Sequence, residues 1–221
     1  MPRRLARVLG VVASALMLSG CASLHPGEAA VVGDTTITEE RLEEFTDGFC
    51  TVIAAINQAQ GTPTSGVPVR TAVLSALNVL VVGAGADQLA AREGIELGED
   101  EVREWVAGLP PVFEEIPAED AETVDRVTER VARNSLLVQR LGAQGGPADD
   151  PQAAAERGTR RVLSYLEQVG AETDPRYGQV LDTRTSPGTG SLSVPVSSEA
   201  LQADDVPQQG TRSLTGAQSC S

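Results

Sequence analysis

The side chains that could act as nucleophiles or bases in this chain are few. Histidine occurs once, as His25, and lysine does not occur at all. Because a hydrolytic triad needs a histidine or lysine base beside its nucleophile, neither a serine nor a cysteine hydrolase is predicted. The three cysteines, Cys21, Cys50 and Cys220, have no histidine partners with which to hold a metal. The sequence therefore predicts no catalytic residue, no metal site and no cofactor.

Adjacent carboxylates are the remaining candidates for acid–base chemistry. Such pairs are plentiful, and three of them, at 114–115, 149–150 and 204–205, lie outside the predicted helices. Each lies in a predicted loop or tail, with little apolar surrounding that could raise a pKa. Solvated charge is therefore the preferred interpretation of all three pairs.

A glycine motif at Gly83 and Gly85 follows an apolar run, as in a dinucleotide-binding fingerprint. The third glycine of that fingerprint should stand three residues after Gly85, where this chain has Gln88, and no second strand with a terminal acid follows. The favoured interpretation is that the two glycines let another helix approach closely, despite a cost of about 1 kcal/mol each in helix propensity.

The N-terminus carries the pattern of an export signal. Residues 1–7 contain three arginines, residues 8–18 form an apolar run of eleven, and Ser19, Gly20 and Cys21 follow. The run is too short to span a bilayer, which takes ~20 helical residues. The stretch resembles a bacterial lipoprotein lipobox, which implies cleavage before Cys21, acylation of its thiol and amino group, and anchoring on the outer face of the cytoplasmic membrane. An ordinary signal peptide with an unrelated cysteine is the alternative.

Acidic residues dominate the remaining chain. Loss of residues 1–20 removes three of 17 arginines and no acid, which leaves 14 Arg against 31 Asp plus Glu, a formal charge of −17. This charge excludes nucleic acid as a predicted partner, because phosphate contacts need clustered Lys and Arg. It also disfavours adhesion of the domain to anionic lipid, so membrane attachment is expected to depend on the acyl groups of Cys21.

Cys50 and Cys220 could form a disulfide in an extracytoplasmic compartment. The bond would close a loop of about 170 residues and restrict the unfolded chain by roughly 4–5 kcal/mol on the chain-entropy model. A buried free Cys50 with an unpaired Cys220 is the alternative.

The apolar spacing predicts a mostly α-helical fold of about five helices with a minor two-stranded β ribbon. The helices are expected from the N-cap Thr38 to residue 60 and over 69–93, 99–107, 120–142 and 151–169, with the second one buried at the centre. Strands are expected at 29–34 and, as an edge strand, at 179–181. The predicted divisions are a signal peptide (1–20), a lipidated tether (21–28), a helical domain (29–182) and a Ser/Gly/Pro-rich, flexible tail (183–221).

Two groups of motifs resemble the N-terminal chaperone domain of SurA-like proteins. The opening group is a short strand and turn at 30–34, the helix start at Thr38 and the stretch 90–102; the closing group is 174–178 with 191–194. The resemblance covers residues 28–196 and implies a helical module with a small β ribbon that holds apolar stretches of unfolded exported proteins. In that family a parvulin prolyl isomerase domain can be inserted before the last helix. The corresponding linker here, 143–150, holds no such domain, so the resemblance implies holding without isomerisation.

Client binding would require an apolar groove between helices with an acidic rim. The large side chains most suited to line it are Phe45, Phe49, Trp105, Val106 and Phe113; their alternative role is as core residues. The leading functional hypothesis is a lipid-anchored, non-enzymatic holder of unfolded exported proteins. The alternative is an accessory or scaffold lipoprotein that binds one folded partner in the envelope.

Overall fold

Five helices and three short strands make up the part of the chain that the computed structural model describes, which is residues 24–59, 67–109, 118–144, 150–178 and 220. The strands are β1 (Glu28–Val32), β2 (Thr35–Thr38) and β3 (Glu172–Thr173). The helices are α1 (Glu39–Ala59), α2 (Val69–Arg92), α3 (Glu99–Ala107), α4 (Ala118–Ala143) and α5 (Pro151–Gln168), and a 3₁₀ turn follows at Pro175–Tyr177. The prediction of a mostly α fold with a minor β component is confirmed.

The sheet has three antiparallel strands in the order β2-β1-β3. It therefore corrects the predicted two-stranded ribbon. Ala30 pairs with Ile37 on one side and with Thr173 on the other. Neither strand that pairs with β1 was predicted. β2 is a four-residue strand with a single apolar side chain, Ile37, and β3 is only two residues long with no apolar pattern; backbone pairing after the turn at Gly170 (φ +65°) forms β3. The predicted edge strand at 179–181 lies outside the described residues.

Helix α1 begins where the sequence predicts. The Thr38 hydroxyl accepts a hydrogen bond from the backbone N–H of Arg41 (3.2 Å), so Thr38 ends β2 and also caps α1. Glu39 and Glu40 follow in the first turn, where the helix dipole favours acids. Helix α5 starts similarly, with the Asp150 carboxylate accepting from the N–H of Ala153 at 3.0 Å. Helix α4 begins two residues before the expected cap at Asp120, because 118–120 already adopt helical backbone.

Helix α2 is the central element, as its sequence predicts. It packs against α1, α4, α5 and β1. Leu77, Leu80 and Val81 are almost fully buried there. By length and composition alone α2 could cross a membrane, with a mean hydropathy of 1.6, but half of its most apolar stretch is buried inside this domain. Its apolar surface therefore serves as the core on which the other helices pack.

Helices α4 and α5 form an antiparallel pair whose backbones touch. A Cβ placed on Gly158 would lie 2.7 Å from the carbonyl carbon of Val138, and one on Gly142 would lie 2.7 Å from the carbonyl carbon of Ala154. Real Cβ atoms essentially never approach other atoms to less than 3.0 Å. Glycine is therefore required at both positions, and the pair forms a closely packed backing for α2.

Candidate functional site

The described residues enclose an open cleft of about 900 Å³. It lies between the end of β2 and helices α1, α2, α3 and α4. We call it the α1–α4 cleft, and its lining residues are Thr38, Glu40, Arg41, Glu44, Phe45, Leu80, Glu99, Val102, Arg103, Thr123, Arg126, Val127, Glu129, Arg130 and Arg133. Four helices thus contribute side chains to one surface.

The floor of the cleft is apolar. Phe45 from α1, Leu80 from α2 and Val127 from α4 are 8%, 2% and 2% exposed, so they belong to the core as well as to the floor. Val102 completes this surface from α3 and is only half-buried. Since α3 has no fully buried residue, it packs against the domain less extensively than do the other three helices that line the cleft.

The rim of the cleft is charged with both signs. Five arginines and four glutamates are among its lining residues, which corrects the expectation of an acidic rim. The arginines Arg126, Arg130 and Arg133 recur at positions i, i+4 and i+7 of α4, so one face of that helix carries all three toward the cleft. The four glutamates come from three different helices and leave no purely acidic edge.

Asp87 on α2 fixes two of these arginines. Its two carboxylate oxygens accept hydrogen bonds from Arg130 Nη1 at 2.7 Å and from Arg133 Nε at 2.8 Å. The side chains of Asp87 and Arg130 are 29% and 18% exposed, so this charge-assisted pairing is partly shielded from water. It joins α2 to α4 beneath the rim.

Gly83 and Gly85 lie where side chains of α4 and α5 pack closely against α2, as the sequence predicts. A Cβ on Gly85 would lie 2.7 Å from Leu166 Cδ2 of α5, and one on Gly83 would lie 2.7 Å from Arg130 Nε of α4. Two helices therefore approach α2 at these positions, and the favoured interpretation of the motif is confirmed. Gln88, which replaces the fingerprint's third glycine, donates from Nε2 to the carbonyl oxygen of Val32 (2.7 Å) and accepts from the Tyr165 hydroxyl (3.1 Å). It ties the β hairpin to α2 and α5.

The predicted client-binding residues are separated by the structure. Phe45 lines the α1–α4 cleft, whereas Phe49, Trp105 and Val106 are half-buried and are not among its lining residues. Phe113 lies outside the described residues. The prediction therefore identified one floor residue of the cleft. Phe49 packs against the hydrophobic core, as in the alternative interpretation, whereas Trp105 and Val106 belong neither to that core nor to the lining of the cleft.

The closing segment predicted at 174–178 packs against the opening one. The backbone N–H of Asp174 donates to the carbonyl oxygen of Ala29 at 2.9 Å, and Arg176 forms an ion pair with Glu39 at 2.8 Å. The side-chain hydrogen bond from Arg176 holds the pKa of Asp174 below its usual value. Burial raises the pKa of Tyr177. This cluster fastens the chain beside the start of α1 and lies outside the cleft.

The other residues considered for chemistry do not meet in the described structure. His25 is exposed and lies 3.4 Å from the carboxylate of Glu28, and Asp150 caps α5. Cys21, Asp149 and the pairs at 114–115 and 204–205 lie outside the described residues. No group of three or more His, Cys, Asp or Glu side chains suited to a metal ion is found in the described part of the chain.

Cys50 on α1 and Cys220 lie at bonding distance, with their sulfur atoms 2.01 Å and their Cα atoms 5.0 Å apart. The backbone N–H of Cys220 donates to the carbonyl oxygen of Val67 at 2.9 Å. The arrangement is compatible with the predicted disulfide, which stays a prediction until the thiols are counted.

The fold and the cleft define a small helical domain with an open, mixed apolar and charged surface. No protein-family model matches this chain, and neither the curated proteins nor the solved structures contain a significantly similar chain.

Sequence reasoning missed the arginines of the cleft. The signal was present in the spacing of Arg126, Arg130 and Arg133, which places them on one face of a predicted helix. That signal could have indicated a charged face. It could not have shown that Arg41 of α1 and Arg103 of α3 lie around the same cleft, because that depends on how the helices pack.

Proposed function

We propose that this chain is a lipid-anchored, extracytoplasmic and non-enzymatic holder of unfolded exported proteins, and that the α1–α4 cleft is the surface that holds them. The observation that carries the proposal is the open cleft, whose apolar floor is fixed by the core and whose rim is charged. An apolar client side chain can leave water on the floor while the client backbone stays solvated at the rim.

The expected affinity is modest. Complete burial of one client leucine or phenylalanine side chain contributes about 1.5–3 kcal/mol, and immobilising the client segment offsets part of this gain. Such contacts give weak, reversible binding. Reversibility suits a holder, which has to release its client for folding.

Two further features support the proposal. The packing of 174–178 against the start of α1 brings together parts of the two motif groups that resemble the SurA-like chaperone domain. The lipobox-like stretch ending at Cys21 would keep the domain at the outer face of the cytoplasmic membrane, where exported chains emerge unfolded. Two or more acyl chains anchor a protein stably where one does not.

Suppression of aggregation tests this proposal. The chain without residues 1–20 and with Cys21→Ser, which cannot be acylated at that position, is mixed with a chemically unfolded model client, and light scattering is followed. We expect scattering to fall as the protein is added in excess. No effect at tenfold excess (order of magnitude, given the weak binding expected) would overturn the proposal.

The variant Val102→Asp locates the activity. Val102 is on the cleft floor but not in the buried core, so a charge there should leave the fold intact and weaken client binding by about tenfold, through the cost of desolvating a carboxylate. Ala107→Asp places the same charge on the exposed end of α3 and should behave as the parent. Equal suppression by both variants would exclude the cleft as the holding surface.

The alternative function, a scaffold for one folded partner, predicts a different result in crosslinking and holding assays. Crosslinking in intact membranes would then give a single stoichiometric product, and unfolded model clients would not be held.

A further inference from the structure

The arginines of this chain are concentrated in the α1–α4 cleft. Five of the 17 arginines line it, together with four glutamates, so the lining residues carry a formal charge of +1. The whole chain carries −14, and the residues outside the lining therefore carry −15. A negatively charged segment is therefore repelled by most of the molecule and least repelled here.

Three of the five arginines are available to a ligand. Arg126 has its acidic neighbour Glu44 at 3.6 Å, and both side chains are more than half exposed. Arg103 pairs with the adjacent Asp100, which is 89% exposed. Arg41 is exposed, and no acidic partner for its guanidinium is found in the described part of the chain. Exposed pairs of this kind contribute little in water, so exchanging them for a ligand carboxylate costs little.

The other two arginines are held in place. Arg130 and Arg133 share the single carboxylate of Asp87, so one of their two positive charges is offset, and the other contributes positive potential without any movement of the side chains. Arginine also presents a planar set of donors that fits a carboxylate with two parallel hydrogen bonds.

The available arginines stand on three different helices around one apolar floor. Arg41 is on α1, Arg103 on α3 and Arg126 on α4, with Phe45, Val102 and Val127 on the floor. In an extended peptide successive side chains point to opposite sides. Such a segment, lying along the cleft, can thus direct an apolar side chain to the floor, while acidic side chains two positions to either side face the same way and reach the rim.

From this arrangement we infer that the cleft selects polypeptide segments in which acidic residues flank an apolar one. The inference rests on the proposed function and specifies its client: an extended, acidic–apolar segment of another protein. It also gives a role to a cleft that carries five arginines in an otherwise acidic molecule.

Three fluorescent peptides test the inference by anisotropy against the soluble Cys21→Ser chain. They share one apolar centre and are flanked by Asp, Asn or Lys. We expect the Asp-flanked peptide to bind about tenfold more tightly than the Asn-flanked one, the gain of one or two favourable arginine–carboxylate contacts, and the Lys-flanked peptide to bind most weakly. The preference should shrink as salt is added.

A triple variant, Arg41→Gln with Arg103→Gln and Arg126→Gln, should remove the preference and keep the affinity for the Asn-flanked peptide. Arg160→Gln, an exposed position of α5 outside the cleft, is the matched control and should keep the preference. A triple variant that still prefers the Asp-flanked peptide would overturn the inference.

The remaining outcomes separate the two proposals. Equal binding of all three peptides would overturn the inference and leave the holding function standing, whereas binding of none would refute the holding function itself. Inorganic phosphate binding as tightly as the Asp-flanked peptide would assign the arginines to a small anion and overturn the inference. Self-association abolished by the triple variant would assign the cleft to a second copy of the chain, with the same consequence.

Discussion

Substitution of Gly158 tests the close backbone contact between α4 and α5. In Gly158→Ala the new Cβ would meet the carbonyl carbon of Val138 at 2.7 Å and lie closer still to its oxygen. Ordinary van der Waals contact begins at 3.4 Å, so the carbonyl carbon alone requires the helices to separate by about 0.7 Å, and the closer oxygen requires more. The obstacle is backbone, which cannot rotate away as the end of a side chain can.

The expected cost follows from two opposing effects. Overpacking of a well-filled interior costs about 1–3 kcal/mol, and the upper end applies because backbone has to move. Alanine returns up to about 1 kcal/mol of helix propensity. We therefore expect a net loss of about 2 kcal/mol in the free energy of unfolding, which corresponds to a fall in Tm of about 4–8 °C for a chain of this size.

Urea unfolding followed by far-ultraviolet circular dichroism measures this loss as a lower midpoint at unchanged slope. Ser164→Ala, at an exposed position of the same helix, is the control and should stay within about 0.5 kcal/mol of the parent. A Gly158→Ala chain that unfolds at or above the parent's midpoint would show that the α4–α5 backbone contact is not as described.

Three further outcomes are expected. Gln88→Leu removes the hydrogen bond to Val32 and should destabilise the chain by about 1–2 kcal/mol, with faster amide exchange in the β hairpin, whereas Gln152→Leu on the exposed face of α5 should not; normal hairpin protection in Gln88→Leu would contradict the packing. Because the pKa of Asp174 is lowered in the folded chain, its contribution is present above the unfolded pKa of about 3.9 and lost as pH falls through the folded pKa. Asp174→Asn should therefore be less stable at pH 7, by up to about 1 kcal/mol, and the difference should vanish in strong acid; a difference independent of pH would count against the assigned hydrogen bond. Finally, the Cys21→Ser chain should show no free thiol under denaturing, non-reducing conditions, and a count of two would refute the predicted disulfide.

The helices could be predicted because each carries its own apolar period and its own start and stop signals. Thr38 caps α1 and Asp150 caps α5, and α3 has the bounds expected from its sequence. Strand β3 could not be predicted, because its pairing with Ala30 and Val31 is made by backbone groups that any sequence possesses.

The cleft was less predictable from the sequence than the helices were. Spacing shows that Arg126, Arg130 and Arg133 share a helix face, but not that the face turns toward α1. The pairing of Arg130 and Arg133 with Asp87 joins residues more than 40 positions apart, and no local rule anticipates it. Similarly, size suggested Phe45, Phe49, Trp105, Val106 and Phe113 for the lining of a groove, but only the packing shows that, of the four described ones, Phe45 alone lines the cleft.

The tight contact at Gly142 has a practical consequence for labelling the molecule. Gly142 stands near the end of α4 and touches Ala154 in the first turns of α5, so the two ends that bracket residues 145–149 are clamped together by the helices themselves. A fluorescent protein whose termini lie close together can therefore be inserted between residues 144 and 150 without separating α4 from α5. The tagged chain would report where the molecule resides in living cells while leaving the sequence around Cys21 and Cys220 unchanged.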